Sequence, residues 1–227
     1  MITLSPANPQ RHESLTVYPL LSPDGGGLVC VLLPEAIRAG TLRITEVGQG
    51  SVPELIAINT GDTDVLILDG EQLIGAKQNR MASRSILLSA HSETKIPVSC
   101  MEHGRWHHVS QEFTPSEYYS PSRVRGRNRR TEASYIQAGM AAAPHVLREA
   151  QGAVWDEIAC LAHDLDAPSE TSALNESMQR REVDLKAWAG ASLPFTARSG
   201  WPPSWAAVRW PWTWSATASS TRASTSG

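Results

Sequence analysis

The stretch TLRITEVGQGSVPELIAINTGDTDVLILDG, Thr41–Gly70, decides the fold class. It holds three runs rich in Val, Ile, Leu and Thr: TLRITEV (41–47), ELIAINT (54–60) and DVLILDG (64–70). The turn clusters GQGSVP and NTGDTD divide them. β-Branched residues suit a pleated, half-buried surface, and Gly, Asn and Asp accept the backbone angles of tight turns. Strands that recur every roughly 10–12 residues predict an antiparallel sandwich or barrel rather than βαβ units.

The same signature extends in both directions. LTVYPLL (15–21) and GLVCVLL (27–33) precede it, separated by SPDGGG, and PEAIRAG supplies one or two helical turns. SRSILLS (83–89) and TKIPVSC (94–100) follow, divided by SAHSE. Residues 15–113 therefore read as β-rich. From about 131 the period changes. TEASYIQAGMAAAP has a helical composition, and HVLREAQGAVWDEIACLAHDL (145–165) places Val146, Ala150, Ala153, Val154, Ile158, Leu161 and Leu165 on one helical stripe. In APSETSALNESMQRREVDLKAWAG, Ser169 is placed to cap a further helix. The expected fold is α+β: an antiparallel β sandwich or barrel followed by two or three C-terminal helices, forming a single domain over residues 10–198.

The tail differs in kind. Residues 189–227 contain no Asp, Glu or Lys yet hold five of the eight tryptophans (Trp201, Trp205, Trp210, Trp212, Trp214), and the chain closes on SATASSTRASTSG. Disordered tails are poor in Trp. The expectation is therefore that 199–227 is low-complexity sequence read out of frame, with a natural disordered tail as the alternative; resequencing the locus across the Trp201 codon decides between them.

Bulk properties exclude several classes. Hydrophobic residues make up 41% and charged residues 19% of the 227, enough apolar content for a packed core, and the net charge of −3 gives no general attraction to nucleic acid or anionic lipid. Cys30, Cys100 and Cys160 are far apart and form no CxxC pair, as expected of free thiols in a reducing compartment. The N-terminus lacks the basic and apolar regions of a signal peptide, and no apolar run spans a membrane, so the expected location is the cytoplasm.

One region carries more chemistry than a fold requires. DGEQLIGAKQNRMASRSILLSAHSETKIPVSCMEHGRW, Asp69–Trp106, contains Glu71, Lys77, Asn79, Arg80, Cys100, Glu102, Arg105 and Trp106. In an extended chain Glu71, Lys77 and Asn79 share a face and Arg80 points away from it. Neighbouring Lys and Arg hold phosphates and carboxylates, and Asn adds a donor and an acceptor. A solvated hairpin face is the alternative. In PVSCMEHGRW, a neighbouring cation or histidine could activate the Cys100 thiol, or Glu102 could act as a general base. Arg105 could clamp an anion and Trp106 stack on a flat ring. Cys100 as a small buried hydrophobe is the commoner case.

Metal binding is not expected. His103 and His107 would lie about 13 Å apart on a strand unless Gly104 turns the chain, and no second ligand cluster follows. PSRVRGRNRR (121–130), with Arg123, Arg125, Arg127, Arg129 and Arg130, reads as an exposed linker without interleaved aromatics, so a nucleic-acid partner is not expected. Trp155 in QGAVWDEI reads as helix packing.

The strings DGEQLIGAKQNRMASRSILL, TKIPVSCMEHGRW and QGAVWDEI together resemble the ADP-ribosylglycohydrolase- and rhodanese-phosphatase-associated protein domain, a mainly bacterial, uncharacterised family, over roughly residues 10–195. The positions matching its pattern are Asp69, Gly70, Glu71, Gly75, Lys77, Gln78, Asn79, Arg80, Pro97, Cys100, Glu102, Gly104, Arg105 and Trp106; His103, His107 and His108 do not belong to it. The resemblance implies, by association only, a role near NAD or ADP-ribose metabolism. It also implies a further β segment and a closing helix, from which this chain departs after about Arg198.

Three functions stay open on these residues. A binding module would hold a small nucleotide-like or ADP-ribose-like anion through Lys77, Arg80 and Arg105, with Glu71 and Glu102 orienting hydroxyls or protons, Asn79 adding a donor and an acceptor, and Trp106 stacking. An enzyme would act on such a ligand through Glu102 or Cys100. An interaction subunit would present the charged stretch to a protein partner. Which cofactor, if any, the chain uses is unknown from the residues.

Overall fold

The computed structural model describes residues 4–21, 29–50, 53–137 and 144–191. The chain divides into two compact units, one made of Met1–Gly26 with Val183–Gly227 and the other of Gly27–Glu182.

In the first unit, β1 (Ser5–Pro6) pairs antiparallel with β4 (Leu20–Leu21), and β2 (Gln10–His12) with β3 (Leu15–Val17). The sequence predicts LTVYPLL as one strand; Pro19, which has no N–H to donate to a ladder, separates β3 from β4. The ring of Trp188 meets that of His12 edge-on at 5.2 Å.

In the second unit, β5 (Cys30–Leu32) runs into α1 (Leu33–Arg38), whose Pro34 sits in the first turn, where its missing N–H costs nothing. The strands that follow are β6 (Leu42–Glu46), β7 (Glu54–Asn59), β8 (Asp64–Ile67), β9 (Glu71–Gly75), β10 (Arg80–Ala82), β11 (Ile86–Leu88), β12 (Ser92–Cys100) and β13 (Phe113–Tyr119). Six of them form a curled antiparallel sheet, a half-barrel, in the order β13-β9-β10-β12-β7-β6. A second sheet, β11-β8-β5, contains the parallel pair β5–β8. Alternation is clean on β6 and β7: Leu42, Ile44, Leu55 and Ala57 face the core, where they meet Ile96, Val65 and Phe113. Asn59 is also buried and is fully used, its amide donating to the carbonyls of Thr63 and Ser89 and accepting from Gly61 N.

Four helices follow: α2 (Ser122–Gln137), α3 (Pro144–Asp164), α4 (Leu174–Arg180) and α5 (Glu182–Ala191), the last continuing into the first unit. The fold class is α+β, as the sequence predicts. No helix among the described residues is long and apolar enough to cross a membrane.

Three local expectations are corrected. The arginine run is not a linker but the first turns of α2, because Val124 and Asn128 give it a buried seam while the arginines find acids: Arg123 pairs with Glu157 and Asp164, and Arg129 with Asp69. Ser169 does not cap a helix directly. Its hydroxyl accepts from Ala173 N, closing a turn before α4 starts at Leu174. DGEQLIGAKQNR is not one extended face but the hairpin β9–β10. Residues 138–143 of the predicted helix, the SPDGGG turn and the tail 199–227 lie outside the described residues.

Candidate functional site

The β9–β10 hairpin and the end of β12 bring most of the candidate residues together. Arg80 pairs with Leu73 on one side and Cys100 on the other. The turn depends on Gly75, at φ +125, where a Cβ would come within 2.4 Å of Ser110 Oγ and 3.0 Å of the Glu112 carbonyl. Across the turn, Asn79 Oδ1 accepts from Gly75 N at 3.1 Å, and the Asn79 carbonyl accepts from Met101 N at 2.9 Å. Glu71 lies at the far end of β9, away from Lys77 and Asn79, because the chain reverses between them.

Beyond β12, Arg105 and Glu102 form one buried pair. Arg105 Nε donates to both Glu102 oxygens at 3.0 and 2.9 Å, and Nη2 donates to Oε2 at 2.6 Å. The guanidinium also donates to the carbonyls of Ala76 and His107 and to Asn79 Oδ1. Glu102 accepts further from Thr171 Oγ1 and Asn79 N. Burial raises the Glu102 pKa, but the hydrogen bonds from Arg105, Thr171 and Asn79 outweigh it and hold the carboxyl below its ordinary range. A carboxylate kept ionised by this many donors is a weak proton acceptor.

Arg80 is different. It is fully buried, and among the described residues only Nη1 is hydrogen-bonded, to Gln78 Oε1 and Cys100 Sγ, each at 2.8 Å. Its Nη2 stands 3.7 Å from Glu46 Oε1. Among the described residues, Arg80 Nε and Nη2 and Glu46 Oε2 have no hydrogen-bond partner. Trp106 is 49% exposed, with Lys77 Nζ 5.5 Å and Arg80 Cζ 5.6 Å from its ring centre. The Lys77 ammonium also donates to the Gln49 carbonyl, and its stem passes 3.2 Å from the position of a Gly50 Cβ. Burial pushes the Cys100 thiol up to about 11, with Arg80 opposing and Glu46 adding to the rise. A thiol held protonated is a poor nucleophile.

Glu71 belongs to a separate group. It is buried, one oxygen accepts from Leu68 N at 2.8 Å, and burial raises its pKa to about 7. Tyr119, opposite it on β13, donates to the Asp69 carbonyl and lies under Arg125, whose guanidinium is 5.3 Å from the ring. Gly70, at φ +95, leaves room for this cover: a Cβ would come within 2.1 Å of Arg125 Cδ.

Sequence reasoning missed Glu46, Thr171, Gln151 and Tyr119. Glu46 looked like an ordinary polar end to TLRITEV, and only the register of the hairpin brings it to Arg80. Gln151 lies in a string already marked, but its role is tertiary: its amide accepts from Cys100 N at 2.7 Å and donates to the Cys100 carbonyl at 2.8 Å, extending the ladder where β12 ends. Trp155 faces His103 at 4.3 Å. Among the described residues no three His, Cys, Asp or Glu side chains converge as a metal site requires.

The family whose model matches is the ARG and Rhodanese-Phosphatase-superfamily-associated Protein domain, over residues 3–201. No curated protein and no solved structure matched the chain. The chain belongs to the ARG and Rhodanese-Phosphatase-superfamily-associated Protein domain family.

Proposed function

From that membership and the surroundings of Trp106, we propose that the chain is a binding module for a small anion carrying a flat ring, nucleotide-like or ADP-ribose-like. The observation that carries this reading is a half-exposed indole with two cations within 5.6 Å of its ring, one of them a buried arginine with unused donors. Stacking a base on an aromatic side chain is worth about 1–3 kcal/mol, and Lys77 stands where the attached anion would lie. Reading ARG as ADP-ribosylglycohydrolase links the family to ADP-ribose, by association only.

In this reading Trp106, Lys77 and Arg80 make contact with the ligand. Arg105, Asn79 and Glu102 hold the turn that presents them, and Glu71 stands apart. Glu102 and Cys100 perform no chemistry, because the first has its lone pairs taken and the second keeps its proton. The module occupies residues 10–198, works in the cytoplasm and takes no nucleic-acid polymer.

Isothermal titration with NAD, ADP-ribose, nucleotides and sugar phosphates tests the reading. Trp106→Ala and Lys77→Ala are each expected to weaken a bound ligand about ten-fold or more, near 1.4 kcal/mol, with an unchanged circular dichroism spectrum. Absence of binding by folded wild-type protein overturns the reading and favours the interaction subunit, to be sought by pull-down. Turnover abolished by Glu102→Gln with binding retained favours the enzyme.

A further inference from the structure

Arg80 and Glu46 face each other with hydrogen-bonding capacity unused on both sides. Three atoms lack a hydrogen-bond partner among the described residues, Arg80 Nε, Arg80 Nη2 and Glu46 Oε2, although the Glu46 side chain is only 5% exposed and Arg80 not at all. The 3.7 Å between Nη2 and Glu46 Oε1 is an ion pair but too long for a hydrogen bond. Folded proteins leave few such groups unmatched, and each one asks for a partner. Here the three ask for two things at once: an anionic oxygen for the N–H donors and an O–H for the carboxylate. A fully ionised anion would suit Arg80 and leave Glu46 Oε2 against like charge.

We propose that Glu46 sets the specificity of the site by accepting a hydrogen bond from an O–H on an anion bound at Arg80, so that a protonated phosphate, or a phosphate beside a sugar hydroxyl, is taken in preference to an anion with no O–H. This rests on the binding reading above and narrows it to hydroxyl-bearing anions. Lys77 N–H donates to Glu46 Oε1 at 3.4 Å, which leaves Oε2 as the oxygen to accept the ligand's hydrogen bond. No bond is made or broken, and the proton stays on the ligand. Trp106 lies against both cations, so an anion bound beside them is expected to change its emission.

Inorganic phosphate and sulfate test the inference, since both are tetrahedral anions and sulfate has no proton to give at neutral pH. Titrations are run on the full chain, wild type and Glu46→Gln, at about pH 6, near the second ionisation of a phosphate monoester; inorganic phosphate keeps an O–H in both its singly and its doubly charged form. Wild type is expected to bind phosphate about ten-fold or more tighter than sulfate, because a site built around a ligand O–H rejects the analogue lacking it. Glu46→Gln, whose amide can donate, is expected to bring the two anions toward parity. Ribose 5-phosphate separates the sources of the O–H: affinity lost as the pH rises well above that ionisation assigns it to the phosphate, and affinity kept assigns it to the ribose. Equal binding of phosphate and sulfate by wild type overturns the inference even where the variant does not fold. So does a phosphate preference that survives Glu46→Gln. If neither simple anion binds but ADP-ribose does, through Trp106 and Lys77, the inference falls and the binding reading stands; if nothing binds, both fall.

Discussion

Arg105 and Arg80 are both buried beside a glutamate, and they are held in opposite ways. Arg105 donates to Glu102 three times and to the carbonyls of Ala76 and His107, while Glu102 collects Thr171 and Asn79 N besides. Among the described residues Arg80 uses one nitrogen and leaves two unmatched, and its glutamate stays at 3.7 Å. Buried ion pairs recover their desolvation cost only when the remaining donors and acceptors are matched. The saturated pair is therefore framework, tying the 75–79 turn to the loop after β12. In the proposed reading, the unsaturated pair is where a ligand group would find unused partners. Two arginines within one short segment thus have opposite hydrogen-bond inventories, and the proposed reading gives them different roles.

Exchanging each pair for apolar residues of similar size breaks this comparison most directly. Arg105→Met with Glu102→Leu strands Asn79 N, the Thr171 hydroxyl and the His107 carbonyl, while the Ala76 carbonyl keeps Val109 N; each stranded group costs about 1–3 kcal/mol when left buried. The double variant is expected to lose about 4 kcal/mol or more in urea unfolding, much of a typical stability of about 5–15 kcal/mol. A loss below about 1 kcal/mol would remove the framework role. The same result bears on ligand tests: Arg105→Ala would weaken binding by loosening the turn, so Trp106 and Lys77 are the cleaner probes.

A third buried carboxylate, Glu71, has no arginine pair among the described residues, and it sharpens the contrast through pH. Its pKa is raised from 4.5 to about 7 by burial, against one hydrogen bond from Leu68 N. The folded state therefore holds a proton that the unfolded state releases between those values. Stability from this group is fully present below pH 4.5 and is lost as pH rises through 7. At about 1.4 kcal/mol per pH unit, the loss is about 3 kcal/mol. Glu102 works in the other direction, its lowered pKa contributing stability that disappears as the pH falls through its folded value. Glu71→Gln should make urea midpoints flat between about pH 5 and 8 where wild type declines; an equal decline in both would remove Glu71 as the cause.

The sequence was most legible where one period governed a whole segment. Val, Ile and Thr alternation located β6, β7, β8, β11 and β12, and the 3.6-residue stripe located α3. It was least legible where a residue's neighbours were decided far away. β9 and β10 were masked by charge: Arg80 is a core-facing residue on a short strand, and no alternation rule expects an arginine there. The arginine run of α2 looked solvated because its seam is only Val124 and Asn128. The residue types of the site were visible, but their division into a saturated and an unsaturated pair was not, because Glu46 and Thr171 reach it from segments about thirty and seventy residues away along the chain.

Gln151 offers a smaller perturbation that acts on both pairs. Its amide holds Cys100 N and O, just where β12 passes from the Arg80 side to Met101 and Glu102. Gln151→Ala leaves two main-chain groups unmatched and is expected to cost about 2 kcal/mol. Hydrogen exchange at Cys100 and Met101 should accelerate; unchanged protection would mean that α3 does not hold this strand end.

The smallest effect is expected where intuition expects the largest, at the fully buried Arg80. Arg80→Met alone would leave Glu46 without its ion-pair partner, so the informative variant is Arg80→Met with Glu46→Leu. It removes both charges together with the three unmatched atoms, and the groups it strands are few: Gln78 Oε1, Lys77 N and the weakly accepting Cys100 sulfur. Replacing a poorly matched buried pair by apolar residues is often neutral or stabilising, so urea unfolding should move by no more than about 1 kcal/mol in either direction. Ligand affinity should be lost in the same protein. A stable fold that no longer binds would separate the two arginines by function. A loss as large as that of the Arg105–Glu102 exchange would make both pairs framework and leave only Trp106 and Lys77 to meet a ligand.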